Sequence, residues 1–184
     1  MGRLVYSMIV SADGFVRDDD GVFDWGEPEE EVLAAINEVT AGVGTYLYGR
    51  RMYELMHVWE TDPSATTQSP ESAEFAMIWQ RAQKVVYSTT LDEVRTERTQ
   101  LRREFDPEEV RALVEAAPGD VTIEGPTLAA HALREGLVDA VHGWVQPLVL
   151  GSGLSFWPDS RIDLTLLRER SFASGTVELV YSLR

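Results

Sequence analysis

Three apolar runs in this sequence end in residues able to hold an anion or a sugar. "YLYG" leads into Arg50-Arg51, "VVYS" into Thr89-Thr90, and "VTIE" into Gly125-Pro126-Thr127. A glycine at a strand end lets the backbone approach a ligand. The N-terminus of a following helix favours an anion, and arginine grips phosphate with a permanently charged fork. Gly49 and Arg50 therefore offer a phosphate contact. Ser88 and Thr89 supply hydroxyls suited to a phosphate or a ribose. Gly125, Pro126 and Thr127 open a helix whose first N–H groups need partners. Each segment also has an ordinary reading, as a turn with solvated arginines, a hydroxyl cap or a tight corner. In an open α/β sheet, however, the carboxyl ends of strands line one crevice, and three such ends raise each other's weight.

Other chemistries find less support. His57, His131 and His142 are far apart and lack metal-ligand spacing, so no metal site is expected. There is no cysteine, which removes disulfides, thiolate metal sites and a cysteine nucleophile. "GSGLSF" at 151–156 begins like a dinucleotide fingerprint, but it ends in Phe156 and no helix follows. No serine sits in a nucleophile elbow. Two acids remain as candidate proton relays. Asp13, at the end of the first strand, is preferred, with an Asp-Gly turn as its structural alternative; Glu30 is the rival, in a Glu-rich helix start that the helix dipole already explains. Phe15, Phe23 and Trp25 are placed to stack on a flat ring or to cover a core.

The elements that position these residues read as a mixed α/β chain, 184 residues long and treated as one domain. Residues 3–10 form a strand. A helix begins at Pro28, with Val32, Leu33, Ile36 and Val39 on one face. "TYLYG" is a strand and "RRMYELM" a short helix. Residues 60–72 form a polar surface loop, followed by a helix over 73–82 and the strand "KVVYS". "RTQLRREF" is a strand. Asp106 caps a helix from Pro107, with Glu109 closing a capping box. Strand 121–124 and helix 126–135 follow, ended by Gly136. The last three strands, "DAVHGWVQPLVLG", "LTLLRERSF" and "TVELVYSLR", have no helices between them, which suits antiparallel pairing. The sheet is thus parallel in its core and antiparallel at the C-terminus, with helices on both faces.

Sixteen basic against 31 acidic residues give a net charge of -15, which argues against a nucleic acid or an anionic membrane as partner. The opening apolar run is too short to span a bilayer and lacks a signal-peptide cleavage site, so a cytoplasmic protein is expected.

Four segments in order, "SMIVSADGFV", "LYGRRMYE", "VVYSTTL" and "IEGPTLAAHALREGLVDAVHGWVQPLVLGSG", are similar to the dihydrofolate reductase superfamily. Within it the chain resembles the reductase domain of the bifunctional riboflavin-biosynthesis deaminase-reductase, over essentially its whole length. The resemblance implies a dihydrofolate reductase-like fold and an NADPH-dependent reductase of a pyrimidine or pteridine type, such as 5-amino-6-(5-phosphoribosylamino)uracil. It leaves open unrelated small molecules, or a nucleotide-binding module without turnover. By the same resemblance Ala12 packs near the nicotinamide. Gly49 and Arg50 meet phosphates, Ser88 and Thr89 lie near the adenosine ribose and its 2′-phosphate, and Gly125, Pro126, Thr127 and Leu128 form the pyrophosphate turn. Asp13 and Trp25 meet the substrate, and the protein is a homodimer. Two departures stand out: Glu124 replaces the first glycine of a frequent pair, and Met52 a frequent threonine. The family pair is often joined by a cis bond. A cis Glu124–Gly125 bond is therefore expected, with the carboxylate turned away from the phosphates toward an arginine or solvent.

Overall fold

Successive side chains of a strand point to opposite faces of the sheet, so every second residue of the first strand enters the same layer. In the computed structural model of the protein, which describes residues 2–183, Leu4, Tyr6, Met8 and Val10 all enter one core. They belong to β1 (Leu4–Ser11), which is followed by a short β2 (Phe15–Arg17). Helix α1 (Glu30–Thr40) starts two residues after Pro28, because the Glu29 carbonyl accepts the first N–H groups, those of Val32 and Leu33, both at 2.9 Å. Strand β3 (Val43–Gly49) runs directly into α2 (Arg50–Met56).

The stretch 60–72 is more ordered than a plain loop. It holds the end of α3 (Val58–Thr61), a 3-10 turn at Ala65–Thr67 and the start of α4 (Pro70–Arg81). Ser69 caps α4 by accepting from the Ser72 N–H at 3.1 Å, and Pro70 takes the first helical position, where no N–H is missed. Then come β4 (Gln83–Tyr87), β5 (Thr99–Arg102) and α5 (Pro107–Ala116). Asp106 does cap α5, accepting from the Glu108 N–H at 2.9 Å. Glu109 does not close a capping box: its carboxylate lies 3.9 Å from Arg102 instead. Strand β6 (Asp120–Glu124) enters α6 (Pro126–Arg134), which ends as expected. Gly136 takes φ 62°, and the N–H of Leu137 reaches back to the Ala132 carbonyl at 2.9 Å. The chain closes with β7 (Ala140–Gln146), β8 (Leu154–Ser155), β9 (Leu164–Ser171) and β10 (Val177–Leu183).

Eight strands form one sheet in the order β5-β4-β3-β6-β1-β7-β10-β9. The first six are parallel, while β10 runs antiparallel to both β7 and β9. Strand β7 therefore belongs to the parallel core through β1 and turns antiparallel only toward β10, since α6 supplies the crossover that a parallel neighbour needs. The pair β2–β8 is a separate two-stranded ribbon that local sequence did not reveal.

Strand parity sorts the core. Leu47, Val85, Val121, Ile123 and Val141 join Tyr6 and Met8 beneath Val110 of α5 and Leu128, Ala129 and Ala132 of α6. On the other face Tyr46, Tyr48 and Val86 meet Leu33 of α1, Tyr53 of α2 and Phe75 and Trp79 of α4. Trp144 packs with Val32 and Ala35 of α1.

Candidate active site: two joined cavities

Strands β4, β3 and β6 are adjacent, so their carboxyl ends put Tyr87-Ser88, Gly49 and Gly125 side by side. A cavity of about 710 Å³ opens over them. Gly49, Arg50, Ser88, Thr89, Gly125, Pro126, Thr127 and Leu128 all line it, together with Arg51 and Arg103.

Each member has a local reason for its place. Arg50 opens α2 and is held by two anchors: its Nε donates to Glu54 at 2.7 Å and its Nη1 to the Thr90 hydroxyl at 3.0 Å. Arg103, which sequence reasoning missed, donates from Nη1 to the carbonyls of Ser88 (3.1 Å) and Leu91 (2.6 Å). Two guanidinium groups thus bracket the 88–91 turn. The Ser88 hydroxyl accepts from the N–H groups of Thr90 (3.2 Å) and Leu91 (2.9 Å), which shapes the turn and leaves Thr89 exposed.

Gly125 has φ 96°, a region L side chains avoid, and this sharp corner starts α6. Its N–H is taken by the Met8 sulfur at 3.2 Å. Pro126 has no N–H, and the first intrahelical bond runs from the Ala129 N–H to the Gly125 carbonyl at 3.0 Å. The N–H groups of Thr127 and Leu128 therefore precede the helical ladder.

A second cavity, about 550 Å³, lies on the opposite face of the sheet between α1, α2 and α4. Its walls include Ile9, Leu33, Ile36, Met56, Trp59, Phe75 and Trp144. Its ionisable groups are Asp24, Glu27, Glu30 and Glu124; no arginine, lysine or histidine of the described residues lines it. Met8, Phe23, Met52 and Leu55 line both cavities, so the two meet there.

Three expected site residues lie elsewhere. Asp13 and Ala12 line neither cavity. The Asp13 carboxylate accepts from the Ser11 hydroxyl (2.7 Å) and from the N–H groups of Gly151 (2.7 Å) and Leu150 (3.1 Å). The Ser11 bond foremost, aided by those N–H groups, holds it below the usual carboxylate range. The geometry gives Asp13 the work of tying the end of β1 to the 147–151 loop, and Ala12 joins the same tie through its N–H to the Leu148 carbonyl at 2.8 Å. Trp25 stands edge-on to Phe23 with ring centres 5.0 Å apart, but it is Phe23 that reaches the cavity walls.

Glu124 corrects another expectation. Among the described residues there is no cis peptide bond, so the Glu124–Gly125 link is trans. The corner is made by the positive φ of Gly125 instead. The Glu124 side chain is 9 % exposed and faces neither an arginine nor bulk solvent; it lines the second cavity. Burial pushes its carboxyl up to about 8.

The described residues hold no cluster of metal-ligating side chains and no helix long and apolar enough to cross a membrane.

Comparison with known proteins identifies the family and the fold. Residues 3–180 match the family described as the RibD C-terminal domain. A curated protein of Bacillus subtilis (strain 168), named Uncharacterized protein YyaP, is 27 % identical over 184 residues, spanning 97 % of this chain and 94 % of its own. A solved structure from Shewanella sp. PV-4, described as that of a riboflavin biosynthesis protein, superposes with a TM-score of 0.74 over 99 % of both chains at 17 % identity. The Thermotoga maritima diaminohydroxyphosphoribosylaminopyrimidine deaminase/5-amino-6-(5-phosphoribosylamino)uracil reductase superposes at 0.66 with 15 % identity, over all of this chain and 57 % of its own. At these identities the structures speak for the fold, a dihydrofolate reductase-like mixed sheet.

Proposed function

The chain belongs to the RibD C-terminal domain family, and from that premise we propose that it is an NADPH-dependent reductase of a small, flat heterocycle that carries no phosphate. The observation behind this reading is the contrast between the joined cavities. One is lined by four arginines, Arg17, Arg50, Arg51 and Arg103, and the start of α6, the other by apolar side chains and four carboxyl groups.

The residues of the first cavity fit a dinucleotide phosphate. Arg50, Arg51 and Arg103 would hold its phosphates, the Thr127 and Leu128 N–H groups its pyrophosphate, and Thr89 its ribose. When bound, the cofactor supplies a hydride. The chain itself orients the substrate and keeps water away. Phe23, Met52 and Leu55 form an apolar seam between the cavities, and Trp59, Phe75 and Trp144 line the apolar wall of the second.

Charge decides the substrate class. A ribosyl phosphate entering the second cavity would meet the exposed carboxylates Asp24, Glu27 and Glu30 at its rim, with no cation lining the cavity to pair with it. A neutral or protonatable pyrimidine or pteridine meets no such penalty. As to assembly, we propose a homodimer, because the outer strand β9 exposes Leu166 and Leu167 beside an unpaired edge.

The test is NADPH oxidation, followed by absorbance, with matched heterocycles offered with and without a phosphoribosyl group. Faster turnover of the phosphate-free forms is expected. Preference for the phosphorylated forms would overturn the substrate assignment, and failure to bind NADPH would overturn the reductase reading.

A further inference from the structure

The second cavity contains one group for which the fold has no structural use. Glu124 is the last residue of β6, and no hydrogen bond or ion pair to its carboxyl group is present among the described residues. The carboxyl oxygens are not sealed in the core: they open onto the cavity, where a ligand could satisfy them. Its position is also special: Glu124 lines the second cavity while the next residue, Gly125, lines the first. The seam residue Met8 touches this junction through its sulfur, 3.2 Å from the Gly125 nitrogen.

We propose that Glu124 is the proton donor of the reduction, its carboxyl O–H protonating the substrate heteroatom while the neighbouring carbon takes the hydride. This rests on the reductase reading above. The balance is simple for a ring C=N or C=O bond. The π bond breaks, a C–H bond forms with the hydride of the reduced nicotinamide, and an N–H or O–H bond forms with the proton of Glu124. The nicotinamide is oxidised, the substrate is reduced, and Glu124 regains its proton from water.

The surroundings keep the acid protonated until it is needed. Tyr46 and Tyr48 of β3 share its face of the sheet, with Tyr48 directly in register with Glu124. Glu30 of α1 and Asp24 and Glu27 of the preceding turn line the same cavity. None of these groups brings a positive charge, so nothing nearby favours the carboxylate, and burial raises its pKa to about 8. Glu30 is the less suited acid, being exposed in the first turn of α1, and Asp13 is committed to the 147–151 loop.

The experiment compares the full-length wild type with Glu124→Gln, which keeps the shape and hydrogen-bonding capacity of the neutral acid but cannot give up a proton. Carbon-13 NMR of glutamate-labelled, ligand-free protein should show one carboxyl titrating near pH 8 that is absent from the variant. NADPH affinity, read by fluorescence, should agree within about twofold, while kcat falls roughly 100-fold and KM stays close to wild type. The alkaline fall of the wild-type kcat should vanish in the variant. An active wild type whose Glu124→Gln variant keeps both kcat and the alkaline limb refutes the donor and leaves the reductase reading intact, as does an ordinary carboxyl titration. A wild type that neither binds nor oxidises NADPH refutes both.

Discussion

Burial of Glu124 has a thermodynamic signature that needs neither substrate nor cofactor. The unfolded chain exposes this carboxyl, which then ionises near its ordinary 4.5, whereas the folded protein keeps it neutral up to about 8. Below pH 4.5 both states are protonated and the group contributes fully. As pH rises through that value the unfolded state gains a charge the folded state resists, and stability drains away until the folded group ionises near 8. At about 1.4 kcal/mol per pH unit the whole window is worth up to about 5 kcal/mol, a large share of the 5–15 kcal/mol typical of a domain. Glu124→Gln removes this term, because the amide is neutral throughout. Urea unfolding of both proteins between about pH 4 and pH 9 isolates it. Other groups, such as His142, titrate identically in the two chains and cancel in the difference. The variant should gain on the wild type steadily across the window and level off above it. A stability difference that stays flat with pH would show that the carboxyl is solvated and the burial argument unsound.

Arg50→Ala should weaken NADPH by about tenfold or more, since charge-assisted phosphate contacts contribute roughly 1.5–3 kcal/mol, and should weaken NADH less. Fluorescence titration decides this: equal losses move Arg50 to the pyrophosphate, and no loss removes it from the site. Gly125→Ala has room, with Met52 3.6 Å from the added carbon, but φ 96° should cost about 1–2 kcal/mol, so an unchanged urea midpoint would refute the strained corner. Glu178 is buried between His142 Nε2 at 2.8 Å and the Arg168 guanidinium, so Glu178→Gln should lower unfolding stability by roughly 1–3 kcal/mol at neutral pH; no measurable change would mean the ion pair is worth no more than neutral hydrogen bonds. Light scattering across a broad concentration range should give a dimer mass, and a constant monomer mass would reject the β9 interface.

The grouping of the first cavity's lining was legible in the sequence because its parts are local. Gly49-Arg50, Ser88-Thr89 and Gly125-Pro126 each sit where a strand stops, and each uses residues whose turn or capping chemistry can be read from a few neighbours. Arg103 escaped notice because it lies one residue beyond its strand and reaches back 15 residues to the Ser88 carbonyl. The second cavity was illegible for a related reason. Its walls come from Ile9, Leu33, Met56, Phe75 and Trp144, residues of the kind that equally fill a closed core, and sequence alone does not show where a core stays open. Asp13 misled because a carboxylate beside a glycine looks the same whether it serves a substrate or a loop, and the N–H groups that claim it are more than 130 residues away.

Glu124 was misjudged by treating a strand end as a single point. Val121 and Ile123 face α5 and α6, so the alternation of β6 sends Thr122 and Glu124 to the other face, with Tyr46 and Tyr48. The backbone at Gly125 still meets the first cavity, while the side chain before it belongs to the second. The carboxyl group is thus turned away from the first cavity, and toward the second cavity rather than toward an arginine or solvent. The same parity that keeps the carboxyl group out of the arginine-lined cavity delivers an acid to the apolar one, so the replacement of glycine by glutamate alters the chemistry of one cavity without changing the charge lining the other.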